Sequence, residues 1–395
     1  LTERRGVYVH VPFCVRKCYY CDFNSYSLDR AAVERYLEGM EREIRLYQEV
    51  LAREPEVAFD SLFIGGGTPT CLSGKDLAWL IERLLCAFPF KKGAEVTCEA
   101  NPGSSNAEKF SAMREAGVNR LSLGVQSLDD ALLLRLGRQH TARDVYESFE
   151  QARRAGFDNI NLDLMFALPG QTHRQWEETL RAALALRPEH FSCYSLIIEE
   201  GTPFGDAFHR GRLSLPGEDA EGDMYAWAID TLTAAGYEHY EISNFALPGK
   251  RSVHNQIYWL NGEWLGLGPG AHGYWRGRRY ANLPLPDAWG ERLRAGETPY
   301  EWSRGVSRDE AMDDTMIFGL RLLEGVSIPE FVHRFGADPR EVYREGIHRL
   351  EKLGLLEIGG ERLRLTRQGL FVANHVFVEF LRDGGAPVPA SALWD

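Results

Sequence analysis

Three cysteines fall within eight positions, Cys14-Val-Arg-Lys-Cys18-Tyr-Tyr-Cys21. Thiolates on one short loop can converge on a single soft metal centre. A structural zinc ion usually takes four ligands in paired knuckles. No second such pair follows here, and Cys71 or Cys98 would have to be recruited from far along the chain. Three ligands suit a 4Fe-4S cluster with one iron left open for a substrate or cofactor. The remaining cysteines, Cys71, Cys86, Cys98 and Cys193, are scattered in apolar or strand-like surroundings. An odd total of seven, without even spacing, argues against a secreted disulfide scaffold. A reducing, cytoplasmic setting fits better.

A second feature is Gly65-Gly66-Gly67-Thr68-Pro69. Glycines remove side chains so that backbone can come close to a ligand, and a tight turn rarely needs three of them. No Lys-Ser/Thr follows, and the two-residue gap of a dinucleotide fingerprint is missing. Polar residues recur farther on: Glu99, Gln126, Arg138 and Asp163 come at or after predicted strand ends. Singly, each reads as ordinary surface polarity. A last cluster is His254-Asn255-Gln256-Ile257-Tyr258-Trp259. Neutral imidazole is a common axial ligand for heme iron, and neighbouring aromatics can cover a porphyrin face. The plainer alternative is a hydrogen-bonded core histidine.

The elements that must position these residues alternate. Strand-like runs at Val7–Val11, Ser61–Ile64, Glu95–Cys98, Arg120–Leu123, Asn159–Met165 and His190–Ile197 are separated by helical patterns. Those patterns lie near Ala31–Leu51, Lys75–Phe88, Ala107–Glu115, Ala142–Arg154 and Gln175–Leu186. Six such units predict an α/β fold, a parallel sheet with outer helices that forms a partial, open (β/α)6 barrel over residues 1–235. Sites in such folds form at the C-terminal strand ends. The cysteine loop follows the first strand and the glycine run closes the second, so both fall at that mouth. A Gly-, Trp- and Tyr-rich extension over 236–300 carries His254, in chain expected to flank the mouth. Residues 301–382 read as a mostly helical module with a hairpin (Leu355–Ile358, Arg362–Leu365), resembling a winged helix, and 383–395 as a loose tail.

Composition narrows the class. At 395 residues, with 44% hydrophobic and 26% charged positions, the chain is globular and long enough for two or three domains. Net charge is −12, and residues 301–381 hold 11 Lys plus Arg against 14 Asp plus Glu. Phosphate neutralisation calls for a basic surplus, so nucleic acid is not the expected partner of the winged module or of the whole. No apolar run approaches the ~20 residues of a transmembrane helix, and no signal-peptide layout opens the chain. Because the first residue is Leu1 rather than Met, a few native residues are expected to precede it.

The Cys14-x3-Cys18-x2-Cys21 loop resembles the signature of radical S-adenosylmethionine (SAM) enzymes. Tyr8-Val-His10-Val-Pro-Phe ahead of it narrows the resemblance to the group of oxygen-independent coproporphyrinogen III oxidase and its heme-chaperone relatives. The resemblance covers nearly the whole chain. It implies that Cys14, Cys18 and Cys21 hold a 4Fe-4S cluster whose open iron chelates SAM, and that an electron from the cluster can cleave the sulfonium. It implies SAM contacts at Gly66, Gly67 and Thr68, and at Glu99, Gln126, Arg138 and Asp163. These four match the family in Cys98-Glu99-Ala100-Asn101-Pro102, Gly124-Val125-Gln126, Gly137-Arg138-Gln139 and Asn161-Leu162-Asp163-Leu164. Tyr8, Tyr20, Ile197 and His272 (in Gly268-Pro-Gly-Ala-His272-Gly) are weaker carry-overs to the same cofactor.

Two departures separate the chain from the decarboxylating oxidases. Their loop carries a further cysteine two places after the third, where Phe23 stands here; they also carry an arm ahead of the first strand, and only seven residues precede Tyr8. Cys21-Asp22-Phe23-Asn24-Ser25 is instead the pattern of the heme-chaperone branch, HemW. The His254 hexapeptide matches that branch's heme-binding motif, implying His254 as iron ligand and Asn255, Tyr258 and Trp259 around the heme. The leading expectation is therefore a protein that binds heme, a 4Fe-4S cluster and SAM and passes heme to acceptor hemoproteins such as respiratory enzymes, with a homodimer supported by the cluster. The alternatives are decarboxylation of coproporphyrinogen III and a related radical SAM methyltransferase. Phe23 speaks against the first and the hexapeptide against the second.

Overall fold

The computed structural model describes residues 4–382; the tail expected over 383–395 lies outside the described residues. In chain order the first part runs β1 (Arg5–Val11), β2 (Phe13–Cys14), β3 (Tyr26–Ser27), α1 (Arg30–Leu51), β4 (Phe59–Gly66), α2 (Gly74–Ala87), β5 (Phe90–Ala100) and α3 (Ala107–Glu115). It continues with β6 (Arg120–Gln126), α4 (Asp130–Arg135), α5 (Ala142–Arg154), β7 (Ile160–Phe166), α6 (His173–Ala185), β8 (His190–Ser195), α7 (Pro203–His209) and α8 (Glu218–Ala234). Strands β1, β4, β5, β6, β7 and β8 pair in that order, all parallel. This is the open six-stranded α/β barrel that the alternation predicts.

Side chains alternate across a strand, and here the alternation sorts by chemistry. Val7, Val9, Val11, Leu62, Ile64, Leu121, Leu123, Leu162 and Leu164 face outward and are buried in the core with the helices. Gly6, Tyr8, Ser61, Phe63, Arg120, Ser122, Asn161, Asp163 and His190 take the other face. A closed barrel of this kind fills its interior with Val, Ile and Leu. This interior is polar, and it holds a hydrogen-bonded row: Ser122 to Asp163 (3.0 Å), Asn161 to Ser122 (2.7 Å) and His190 to Asn161 (2.6 Å).

The extension adds strands to both edges. After α8 come β9 (Glu238–Glu241), β10 (Asn244–Ala246), α9 (Val253–Trp259), β11 (Glu263–Leu267), β12 (His272–Trp275), β13 (Arg278–Asn282), α10 (Pro286–Arg294) and β14 (Tyr300–Gly305). Together they complete a 12-stranded sheet in the order β14-β13-β12-β11-β1-β4-β5-β6-β7-β8-β10-β9. The extension therefore runs to Gly305 rather than stopping at residue 300, because β14 pairs with β13. Its residues are mostly exposed and gave no burial rhythm to read.

Beyond it, helices Arg308–Gly319, Ile328–Phe335 and Arg344–Lys352 pack with a small antiparallel sheet of β15 (Val326–Ser327), β17 (Arg362–Leu365) and β16 (Leu356–Gly359). Three helices with a β16–β17 wing give the winged-helix layout expected of this module.

Candidate functional site

At the mouth, the cysteine loop leaves β2 and returns through β3, which pair in parallel (Phe13↔Tyr26, Cys14↔Ser27) and close its base. Cys14, Cys18 and Cys21 are free thiols, all half-buried. Cys14 Sγ lies 3.6 Å from Thr68 Oγ1, and Arg138 Nη1 donates to Cys18 Sγ at 3.5 Å. Burial, and then the neighbouring Cys18 and Cys14 among smaller influences, push the Cys21 thiol up to about 12. Among the described residues no three His, Cys, Asp or Glu side chains converge tightly enough to hold one metal ion.

The glycine run behaves as a cradle. A Cβ on Gly67 would stand 2.6 Å from the Phe13 carbonyl oxygen and 3.1 Å from Cys14 Sγ. One on Gly66, whose φ is +108°, would meet the His10 ring at 2.7 Å. A side chain at Gly67 would fill the space beside Cys14, and one at Gly66 would collide with His10. The Gly66 N–H donates to Glu99 at 3.2 Å. Burial, reinforced by the nearby Asp163 carboxylate, raises Glu99 to about 8, and burial raises Asp163 as well. These two carboxylates, on β5 and β7 to either side of β6, can accept from hydroxyl donors such as those of a ribose.

Arg138 sits across from them. Its Nη2 donates to Asn101 Oδ1 and to the Gly124 carbonyl, both at 2.6 Å. Asn101 in turn donates to Thr68 at 2.8 Å, tying arginine and glycine run together. Gln126 takes a positive φ of 65° where the β6–β7 register slips, an uncommon backbone for a non-glycine residue, and accepts from Tyr194 at 2.9 Å. A cavity of about 390 Å³ opens here, lined among others by Cys18, Thr68, Asn101, Arg138 and His140. Thiols, a glycine cradle, paired carboxylates and a buried guanidinium are a donor set that fits a cluster with a bound zwitterionic nucleoside.

The weaker candidates sit around this mouth in different ways. Tyr8 points into the barrel, and its hydroxyl meets His10 Nδ1 at 2.9 Å. His10 Nε2 lies 2.7 Å from the Asn24 carbonyl, which can only accept, so Nε2 carries the proton and Nδ1 accepts from Tyr8. Tyr20 packs in a small apolar cluster with Leu136 and Phe204. Ile197 lies past the end of β8, which stops at Ser195, and is exposed. His272 opens β12, half-buried and edge-on to Trp302. Its loop is clamped: the Gly268 N–H donates to Glu43 at 2.7 Å, and Asn24 donates to the Pro269 carbonyl at 3.1 Å. Asn101, His10, Asn24 and Glu43 are the residues that sequence reasoning passed over. The first three stand inside motifs singled out from the sequence.

His254 is placed elsewhere than expected. It does not flank the mouth but lies at the opposite end, on the floor. The cause is topological: β10 runs antiparallel to β8 and ends with Ala246 opposite His190, the first residue of β8, which delivers the chain to the lower end. There α9 plugs the barrel, and Glu95 accepts the Val253 and His254 N–H groups at 3.0 Å each. His254 is 1% exposed, with Nδ1 2.8 Å from Ser61 Oγ and Nε2 2.8 Å from Tyr258 Oη. Its ring stacks on Phe63 at 5.0 Å. Burial, and then the charge of Arg120, lower it to about 3, so the imidazole is neutral. Neutrality suits an iron ligand, but both nitrogens are engaged, and ligation through Nε2 requires Tyr258 to withdraw. Trp259 is buried under the Arg321 guanidinium, 4.4 Å from its ring centre, and Asn255 donates its N–H to the helix-capping Ser252.

Comparison with known proteins gives the family. Residues 8–183 match the radical SAM superfamily and residues 306–372 the HemN C-terminal domain. The fold is also that of the Escherichia coli coproporphyrinogen III oxidase HemN, a radical SAM enzyme: the TM-score is 0.81 at 23% identity, covering 96% of this chain and 90% of that one. Barrel, cysteine loop and appended domain thus define a radical SAM protein of the coproporphyrinogen oxidase-like group. Within that group, the heme chaperone HemW of Bacillus subtilis is 40% identical over 95% of this chain and 99% of its own, and that of Lactococcus lactis 39% identical over 97% and 99%. HemW of Escherichia coli is 36% identical over 96% and 98%. The chain belongs to the HemW family of heme chaperones.

Proposed function

We propose that this protein binds heme and delivers it to acceptor hemoproteins such as respiratory enzymes. The reading includes a 4Fe-4S cluster on Cys14, Cys18 and Cys21, SAM on the glycine cradle, Arg138 and the Glu99–Asp163 pair, and heme iron on His254. It places the protein in the cytoplasm and allows a homodimer supported by the cluster. The observation that carries it is the 40% identity, end to end, with a protein named as a heme chaperone. Two features of the chain support it over porphyrinogen decarboxylation. Phe23 stands exposed where the oxidases have a further cysteine, and a neutral imidazole waits on the barrel floor. Among the described residues no helix is long and apolar enough to cross a membrane.

The test is anaerobic reconstitution followed by two assays on one preparation. Hemin should bind saturably with a Soret band that His254→Ala alters and His333→Ala does not. Coproporphyrinogen III should not be consumed. Robust conversion to protoporphyrinogen would overturn the reading in favour of the oxidase.

A further inference from the structure

His254 cannot meet heme first, because it is enclosed and both its ring nitrogens are engaged. The exposed histidines among the described residues are His209, His333, His348 and His375. The last three lie in the C-terminal module; His209 stands at the barrel mouth, at the end of α7, the helix that follows β8. That helix is seated on the cysteine loop: the Phe204 N–H donates to the Tyr19 carbonyl at 2.9 Å, and the Phe204 and Tyr19 rings lie 6.2 Å apart. At its C-terminus Gly211 takes φ +65°, and the Arg212 N–H reaches back to the Ala207 carbonyl at 2.8 Å. One tight turn therefore carries Phe208, His209, Arg210 and Arg212, all exposed.

The chemistry of these four side chains is uncommon on this surface. Most arginines of the chain pair with a carboxylate, whereas Arg210 and Arg212 pair with none among the described residues. Phe208 is 46% exposed, with its ring 6.1 Å from that of His209. We infer that the Phe208–Arg212 turn is the entry site for heme: His209 ligates the iron in place of a solvent ligand, Phe208 covers part of the macrocycle, and Arg210 and Arg212 take the propionates. Imidazole, apolar ring and guanidinium answer in turn the iron, the apolar face and the carboxylates of that one ligand. The site rests on the heme-chaperone reading and adds to it a place where heme is met before it reaches the floor.

Stopped-flow mixing of hemin with the reconstituted full chain, followed in the Soret region, tests it. Wild type should show a fast saturable phase ahead of a slower one. His209→Ala should remove the fast phase, and His254→Ala should remove only the slower one. Arg210→Gln with Arg212→Gln should slow the fast phase roughly tenfold, at the lower end of what electrostatic steering contributes to association. Hemin dimethyl ester, whose propionates are uncharged, should be slow with wild type and indifferent to the arginine changes. A fast phase unchanged in His209→Ala, or an ester that associates as quickly as hemin, overturns the entry site while leaving the chaperone reading intact. Absence of saturable hemin uptake by wild type overturns both.

Discussion

The two ends of the barrel are built on opposite plans. At the floor His254 is closed in: Ser61 and Tyr258 hold its nitrogens, and Glu95 caps the helix that carries it. At the mouth the groups are held in position around an open cavity of about 390 Å³. Three thiols are half-buried and unjoined, and two carboxylates are raised by burial, Glu99 further by the nearby Asp163. A plug whose histidine is hydrogen-bonded at both nitrogens and a cavity lined by Cys18 and Arg138 respond differently to substitution. The difference teaches where change should be felt as lost binding, at the mouth, and where as altered access, at the floor.

The largest expected effect removes the mouth's function altogether. Replacing Cys14, Cys18 or Cys21 by Ala should abolish the iron–sulfur absorption of reconstituted protein, while Cys71→Ala and Cys86→Ala should keep it. Cys71 is the stringent control, since it lines the same cavity as Cys18. Equal dependence on Cys71 would break the three-ligand assignment. Next comes Arg138→Gln. Charge-assisted hydrogen bonds are worth about 1.5–3 kcal/mol, so SAM affinity measured by equilibrium dialysis should fall about 10- to 100-fold. The paired variant Ser61→Ala, on the floor, should leave it unchanged.

A smaller effect concerns the clamp behind the mouth. Glu43 is fully buried between α1 and the Gly268 loop, accepts from the Gly268 N–H and from Asn282 Nδ2 at 2.7 Å each, and is raised by burial to about 8. In the unfolded chain its pKa returns to the usual carboxylate range. Between that range and about 8 the native state therefore holds the extra proton, and stability falls as pH rises through this window. Glu43→Gln should flatten that part of the stability–pH curve in urea titrations. An unchanged slope would assign the decline to other groups.

How much of this was legible in the sequence follows the range of the forces involved. The cysteine loop, the glycine run and Glu99 are local signals, and the period-2 alternation within each strand placed them at strand ends. The depth of His254 was not legible. It depends on the pairing of Asn244–Ala246 with residues about fifty positions earlier in β8, which no window of neighbouring residues records. The same holds for Glu43, whose partners Gly268 and Asn282 lie more than two hundred positions away. Its burial on a helix otherwise rich in exposed glutamates has no local mark. The strand Tyr300–Gly305 escaped notice for the opposite reason, since it is an exposed edge with little buried periodicity.

The smallest expected effect tests the floor directly. Tyr258 Oη and His254 Nε2 lie 2.8 Å apart, and that contact must open before iron can be ligated there. Tyr258→Phe removes the hydroxyl and little else, because the ring keeps its edge-to-face contacts with His254 at 4.9 Å and Trp264 at 4.7 Å. A neutral hydrogen bond contributes about 1 kcal/mol net. Its loss should lower the stability of the heme-free protein by about that amount, and it should raise hemin affinity by roughly fivefold, since the competing partner of Nε2 is gone. The two signs oppose each other, which separates this account from general damage to the floor: a destabilised protein that also bound hemin more weakly would show Tyr258 to be a heme contact rather than a latch. Paired measurement of the urea midpoint and the hemin titration on wild type and Tyr258→Phe decides between them.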